Sequence, residues 1–315
     1  MELIYPPRCQ TYYPFSDYQY KVTEPKIDGN RYLFYLGEDV DPYQNQLLNC
    51  LLSKAKDKNT KKFSDRTLNV PHLTERYYTG LNQTVLDGEI FLQSFYITQD
   101  IMNRSEPRIS HEKQRYYGNP EFIAFDIPFL KGQDLRHLPL FERRKYLEEA
   151  KYLIGNPYIK IINQWEGDPL IHYFNEINKN NEGVVVKDIR FGYGSEWFKL
   201  KKRFDISAFI TSIAGETVSI SVWEADKPVE IGEVRLKIEN TKSNIGKVLD
   251  IYAQDLTPNR RLRFPIFHRF RPDLNDYDCM LEKILSDMKS QKLFDRFEKP
   301  KPINPNKRNK KVRVR

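Results

Sequence analysis

The sequence predicts an α+β protein of antiparallel sheets, followed by a smaller all-β domain and a basic tail. Three observations predict it. Strand-like runs (TVLDGEIFLQSF, EFIAFDIPF, EGVVVKD and EWFKLKKRF) dominate the stretch up to Phe204. Beyond Phe204 the runs shorten to DISAFITSI, TVSISVWEA, EIGEVRLKI and KVLDIYAQDL. Turn residues recur there at roughly 10–15 positions, the pattern of a small antiparallel barrel or sandwich. The chain of 315 residues is about twice a typical domain. The expected division is 1–203, 204–290 and a tail at 291–315.

The elements follow in order. Residues 1–35 alternate aromatic and polar residues with Pro and Asp breaks, which predicts short strands and turns. A helix is predicted over 42–55: Asp41 is the N-cap, Pro42 the first helical residue, and Leu47, Leu48, Leu51, Leu52 and Ala55 form the stripe. A second is predicted over 139–153, opened by Pro139, with Leu140, Arg143, Leu147 and Ala150 in step. An amphipathic helix is predicted over 279–294 through Met280, Leu281, Ile284, Leu285 and Met288. No internal repeat occurs.

Composition narrows the classes of function. No run of ~18 apolar residues exists, so no membrane-spanning helix is expected. The start, MELIYPPRCQ, lacks the basic-then-apolar pattern of a signal peptide. Cys9, Cys50 and Cys279 lie far apart with no CxxC pair, which excludes a zinc ribbon and points to a reducing compartment. The net charge of +8 belongs to the tail: residues 299–315 hold eight Lys and Arg and no acid. The rest is formally neutral, so basicity says little about the folded part. The tail, rich in Pro, Asn, Lys and Arg, is expected to be disordered.

Several familiar sites are missing. There is no GxxxxGK[ST] loop and no HExxH, and GYG at 192–194 reads as a turn. EPKIDGNR (24–31) places Lys26 in a loop at a strand end, with Gly29 permitting a tight turn and close backbone approach. Alone, it reads as an ordinary turn with a solvated lysine. Its companions change that. VLDGEIF sets Asp87 and Glu89 on one strand face; NEGVVVKD flanks three valines with Glu182 and Lys187. SEWFKLKK puts Trp197, Lys199 and Lys201 on one face and Phe198 and Leu200 on the other. Like charges on one side of an apolar strand repel, and a polyphosphate would compensate them.

EPKIDGNR, VLDGEIF, FIAFDIPFLKG, EGVVVKD and WFKLK resemble, in order, the motif series of the ATP-dependent DNA ligases, within the covalent nucleotidyltransferase superfamily. The segment 248–273 is similar to the end of a ligase OB-fold domain, so the resemblance spans about residues 20–290. It implies an ATP-grasp-like nucleotidyltransferase domain with antiparallel sheets, then an all-β OB-fold domain, in a compact, phage- or virus-like form.

The resemblance also implies roles. Lys26 would attack the ATP α-phosphorus and become a lysyl-AMP, its pKa lowered by Lys199, Lys201 and bound Mg²⁺ (or Mn²⁺). Lys199 and Lys201 would grip the α-phosphate, and Glu182 would hold the metal. Arg31 and Glu89 would contact the ribose, Phe125 would stack on adenine, and Glu24 or nearby backbone would read its edge. Asp28 would support strand joining, and Lys187 would make a weaker nucleotide contact. Arg66, in FSDRT, would contact a nick phosphate. One departure stands out: Arg271-Pro272-Asp273-Leu274 lacks the family's usual lysine at Leu274, and Arg269 or Arg271 would substitute in orienting pyrophosphate. The implied partner is nicked duplex DNA. A monomer without membrane association is expected, in the cytoplasm or in a host compartment where DNA is replicated. A GTP-using mRNA capping enzyme, an RNA ligase and a non-catalytic OB-fold single-strand binder stay open as alternatives.

Overall fold

The computed structural model describes residues 4–12, 18–37, 49–56, 61–76, 78–179, 181–236 and 242–290. They form two compact units, one ending at Leu200 and one beginning at Lys201.

The first unit carries β1 (Gln10–Thr11), β2 (Lys21–Pro25), β3 (Asn30–Leu36), β4 (Cys50–Lys56), β5 (Phe63–Asp65), α1 (Pro71–Thr74), β6 (Thr84–Phe91), α2 (Phe95–Met102), α3 (Pro107–Tyr117), β7 (Glu121–Leu130), β8 (Gln133–Asp134), α4 (Leu140–Ile154), β9 (Ile159–Ile161), β10 (Trp165–Glu166), α5 (Pro169–Asn178), β11 (Gly183–Asp188) and β12 (Trp197–Lys201). Two sheets result, ordered β1-β12-β11-β2-β10 and β5-β4-β3-β6-β7-β8, with β9 beside β7. Pairing is antiparallel between β2 and β11 and between β3, β6 and β7; β1–β12 and β7–β9 are parallel.

The larger sheet buries Phe34, Leu86, Ile90 and Phe122 against Ile101 of α2 and Leu147 and Ala150 of α4. In the smaller sheet Val184, Val186 and Phe198 pack with Leu170 and Tyr173 of α5. Local signals start and stop these helices. Ser94 caps α2 and Asp168 caps α5, each accepting a backbone N–H, and Gly155 ends α4 at a φ of 59°.

The helix expected over 42–55 is not what forms at its C-terminal end. Cys50–Lys56 is a strand, pairing Leu51 with Phe34 and Leu52 with Leu33. Leu51 enters the main core, whereas Cys50 and Leu52 pack on a separate cluster with Leu33 and Tyr35. Alternate residues serve two faces, as the two-residue period of a strand requires and a helical stripe does not. Asp41, Pro42, Leu47 and Leu48 lie outside the described residues, as does the tail. The helices expected over 139–153 and 279–294 form at Leu140–Ile154 and Leu281–Ser290.

The second unit begins at Lys201, the last residue of β12, and carries β13 (Phe204–Ala214), β14 (Thr217–Glu224), β15 (Lys227–Arg235), β16 (Val248–Ala253), β17 (Asp255–Leu256), β18 (Leu262–Arg263), β19 (Ile266–Phe270) and α6 (Leu281–Ser290). Its main sheet is antiparallel, ordered β15-β14-β13-β16-β19. Ile210, Val222 and Leu249 form its core with Leu281 and Ile284 of α6.

Candidate functional site

Pro25 ends β2, where its missing N–H removes a ladder bond. The next backbone N–H, that of Lys26, donates to the Gly183 carbonyl at 2.9 Å. The two motifs are thereby tied together across 157 positions of sequence. The Lys26 ammonium then lies 2.6 Å from Glu182 Oε2. Gly29 lets the loop close on β6: a Cβ there would stand 2.4 Å from the Ile90 carbonyl oxygen. Its N–H donates to Glu89 Oε2 at 3.0 Å. Gly88 is packed just as tightly, since a Cβ would lie 2.6 Å from the Ile123 carbonyl oxygen and 2.7 Å from the Phe122 ring. Both glycines are therefore required by close approach.

Burial pulls the Lys26 ammonium down, but Glu182, Glu89 and Asp28 outweigh it, and the net direction is up. The expected lowering by cations is not what the protein groups produce, because carboxylates surround this lysine. Burial raises Glu89, and Glu182 adds to that against the pull of Lys26. The Glu182 and Glu89 carboxylates beside Lys26 are hard oxygen donors, the chemistry that Mg²⁺ or Mn²⁺ takes together with phosphate oxygens.

A second cluster joins both sheets of the first unit. Glu24 and Lys187 form a buried ion pair at 2.7 Å. The Phe125 ring meets Trp197 edge-on at 6.1 Å between centroids. Arg31 lies over both rings, at 5.0 and 5.6 Å. Its guanidinium donates to both oxygens of Asp87, at 2.9 and 2.5 Å, and to the Pro7 carbonyl. The Tyr193 hydroxyl donates to the same Asp87 at 2.6 Å. Arg31 is thus a half-buried, carboxylate-bound cation facing two aromatic rings, while its expected ribose companion Glu89 is held by Gly29.

β12 splits as its alternation predicts. Phe198 and Leu200 pack toward α5, and Trp197 turns to Phe125. Lys199 is half-buried and pairs in register with Thr11. Lys201 opens the second unit, where its ammonium lies 3.3 Å from the Gln254 side-chain oxygen and 5.9 Å from the Phe264 ring centroid. Arg66 donates to the Asp65 carbonyl at 3.2 Å and also bonds the Tyr32 side chain.

In the second unit, Arg269 and Arg271 both engage Asp250, at 2.8 and 3.1 Å, and Arg271 also grips Asp273 at 2.6 Å. The Arg271 bond holds Asp273 down to about 2. Ser207 also donates to Asp250. Asp205, Asp250 and His268 bring ligand atoms within 4.8 Å of one another, but the two arginines already neutralise Asp250. Leu274, where the family's lysine was expected, packs against the second core.

Three contributors escaped the sequence reading. Tyr193, within the GYG turn, completes the Asp87 site. Arg143 binds Asp126 in a fully buried bidentate pair at 2.8 Å; an arginine in step with Leu140 and Leu147 was the available signal. Lys54, on β4, lies in the field of Glu89, Arg31 and Lys26, and partial desolvation with the neighbouring cations pulls it below its ordinary value.

No helix among the described residues is long and apolar enough to cross a membrane. The family profile of the ATP dependent DNA ligase domain matches residues 15–201. Over 181 residues the chain is 27% identical to the SPbeta prophage-derived DNA ligase-like protein LigB of Bacillus subtilis, covering 57% of this chain and 58% of that protein. Over 207 residues it is 28% identical to DNA ligase 1 of Methanosarcina mazei, covering 58% of this chain and 33% of that protein. The chain thus spans little more than half the length of the one and a third of the other. A solved structure from a study of Lig E DNA ligases superposes with a TM-score of 0.61 at 16% identity, covering 86% of this chain and all of that one, which shows a shared fold. With that profile matching more than half of its length, the chain belongs to the ATP-dependent DNA ligase family.

Proposed function

We propose that this chain seals 5′-phosphate/3′-hydroxyl nicks in duplex DNA through a lysyl-AMP on Lys26. The observation that carries the reading is the Lys26–Glu182 contact of 2.6 Å, in a loop tied to Gly183 and facing Glu89 and Asp28.

Lys26 Nζ, once neutral, attacks the α-phosphorus of ATP; the bond to the β-phosphate oxygen breaks and pyrophosphate leaves. The AMP then passes to a DNA 5′-phosphate, and the 3′-hydroxyl displaces it. Lys199 and Lys201 stabilise the charge that gathers on the α-phosphate. Glu182 would hold Mg²⁺ or Mn²⁺, whose chemistry is neutralisation of phosphate charge. Phe125 stacks on the adenine, Glu24 reads its edge with Lys187 beside it, and Arg31 and Glu89 serve the ribose. Arg66 contacts the nick, and Asp28 supports the joining steps. Arg269 or Arg271 substitutes for the lysine missing at Leu274 in orienting pyrophosphate. The second unit, in this reading, is an OB-fold within a division at 1–203 and 204–290, followed by the tail. Positioning and charge neutralisation supply the catalysis, which fits a site of Lys, Arg, Glu and Asp. The protein acts as a monomer in the compartment where DNA is replicated.

Incubation with α-labelled ATP or GTP and Mg²⁺, followed by a nicked duplex, tests this. ATP should leave an acid-labile label on Lys26, which the nick then discharges with joining of the strands. A protein that takes no label from ATP, or that Lys26→Ala still lets label, sinks the reading.

A further inference from the structure

We infer that the Gly192-Tyr193-Gly194 turn and the N-terminal segment seated on it form a brace that aims Arg31 at the ribose hydroxyls of the nucleotide. The inference rests on the ligase reading for the ribose. The N-terminal segment is anchored at both ends. The Ile4 N–H donates to the Tyr35 hydroxyl at 3.2 Å, and Ile4 is buried with Leu33 and Phe129 of the larger sheet. At the other end β1 pairs in parallel with β12, and the Tyr12 N–H donates to the Lys199 carbonyl at 3.2 Å. Pro7 lies between these anchors, its φ fixed by its ring. Its carbonyl accepts from Arg31 Nη1 at 2.5 Å.

The turn holds the same arginine from a second side. Gly194 has a φ of 78°, and a Cβ there would stand 2.1 Å from Pro7 Cβ and 2.3 Å from Pro7 Cγ. Only glycine lets the Pro7 ring sit so close. The Tyr193 hydroxyl donates to Asp87 Oδ2 at 2.6 Å, the oxygen that also accepts from Arg31 Nη2. The Tyr193 N–H is itself bound to the Arg136 carbonyl at 2.9 Å, and its ring meets Trp197 edge-on at 5.6 Å. One turn thus reaches Arg31 twice, through Asp87 and through Pro7. Arginine has five N–H groups. Three are taken by Asp87 and Pro7, which leaves one on each terminal nitrogen for the nucleotide. A guanidinium held by two partners loses its rotamer freedom on folding rather than on binding. Loosening either partner lets it turn, and the ribose contact weakens while contacts to base and phosphates persist. Tyr193 and Gly194 act through Arg31 and are positioning residues.

The full chain is compared as wild type, Tyr193→Phe, Gly194→Ala and the double variant Pro7→Gly/Gly194→Ala. KM and saturated labelling rate are measured with α-labelled ATP and with 2′,3′-dideoxy-ATP, which lacks both ribose hydroxyls, alongside the melting temperature with and without each nucleotide. Tyr193→Phe should raise the KM for ATP by about ten-fold, the scale of one hydrogen bond to a charged group, and slow the saturated rate much less. The KM for the dideoxy nucleotide should hardly move, so the preference for ATP falls by the same factor. Gly194→Ala should lose the preference as well. The double variant keeps the Pro7 carbonyl and removes the ring atoms in the way of the new methyl. It should regain preference for ATP while its melting temperature stays low, because alanine remains strained at that φ. A merely structural role predicts that both nucleotides are affected alike and that preference returns only with stability. A wild-type KM for ATP in Tyr193→Phe, or equal rises for the two nucleotides, overturns the inference. If wild type takes no label, the Lys26 reading fails, and the comparison is read from the rise in melting temperature. A stabilising advantage of ATP that Tyr193→Phe loses then supports the brace, and a wild type stabilised equally by both nucleotides, or by neither, overturns it.

Discussion

Lys26 meets two opposed demands. At rest it must be a cation, because Glu182 lies 2.6 Å away in a nearly closed site. To attack phosphorus it must be neutral. Its pKa is raised by the surrounding acids against the effect of burial, so at neutral pH the reactive form is scarce. The rate of labelling at ATP well below saturation, which reports the free protein, should therefore climb by about ten-fold per pH unit as long as pH stays below the raised value. A flat profile in single-turnover measurements would mean that another step limits. Lys26→Arg should keep the pairing with Glu182 and the fold but take no label at any pH, since guanidinium stays protonated. Arg143 is the structural counterpart. It and Asp126 have no solvent-exposed side-chain surface, so Arg143→Leu leaves a buried carboxylate unpaired and should cost about 3–5 kcal/mol. Asp126→Asn added to it should recover most of that in denaturant unfolding. A single variant as stable as wild type would count against the pair.

β12 shows how one strand serves packing and chemistry at once. Its odd-numbered residues, Trp197 and Lys199, share one face, while Phe198 and Leu200 pack with α5. Phe198→Ala should therefore lose about 3–5 kcal/mol of stability by opening a cavity, with labelling reduced only in proportion to the unfolded fraction. Lys199→Ala should show the reverse: an unchanged melting temperature and labelling slower by about 10²-fold, as for removal of a transition-state charge contact. Equal effects of the two variants on both measurements would mean that the faces do not separate in this way. The paired strands β6 and β7 carry a related constraint. Asp87 stands opposite Asp126, with shifts of register beside it. Each carboxylate has its own arginine, Arg31 or Arg143, without which two like charges would face each other in the interior.

Over the whole molecule, charge is distributed unevenly. Residues 299–315 hold eight cations and account for the net +8. If they meet DNA phosphates, they contribute at most about −7 to the log–log salt slope of binding, and about half that for partial engagement. Deleting 299–315 should flatten the salt dependence of nicked-duplex binding, weaken it most at low salt, and leave labelling of Lys26 unchanged. Superimposable slopes for the two proteins would leave the tail with no role on DNA. Strand periodicity is a local property and was legible: β6, β7, β11, β12 and α4 follow from patterns a few residues long. The segments around Lys26, Glu182 and Lys199 read singly as ordinary turns and strands, and only their order along the chain, as a family resemblance, set them apart. Cys50–Lys56 was not legible as a strand, because Leu47, Leu48, Leu51 and Leu52 also satisfy a helical stripe, and only pairing with β3 chooses between the periods. Nor were the partners of the charged residues: Glu24 with Lys187, Asp87 with Tyr193, Asp126 with Arg143. The sequence by itself determined which chemical groups are present and the faces on which they project. Which groups neutralise one another was decided only by the tertiary structure, because a charge leaves water only when an opposite charge from a distant strand or helix is brought against it.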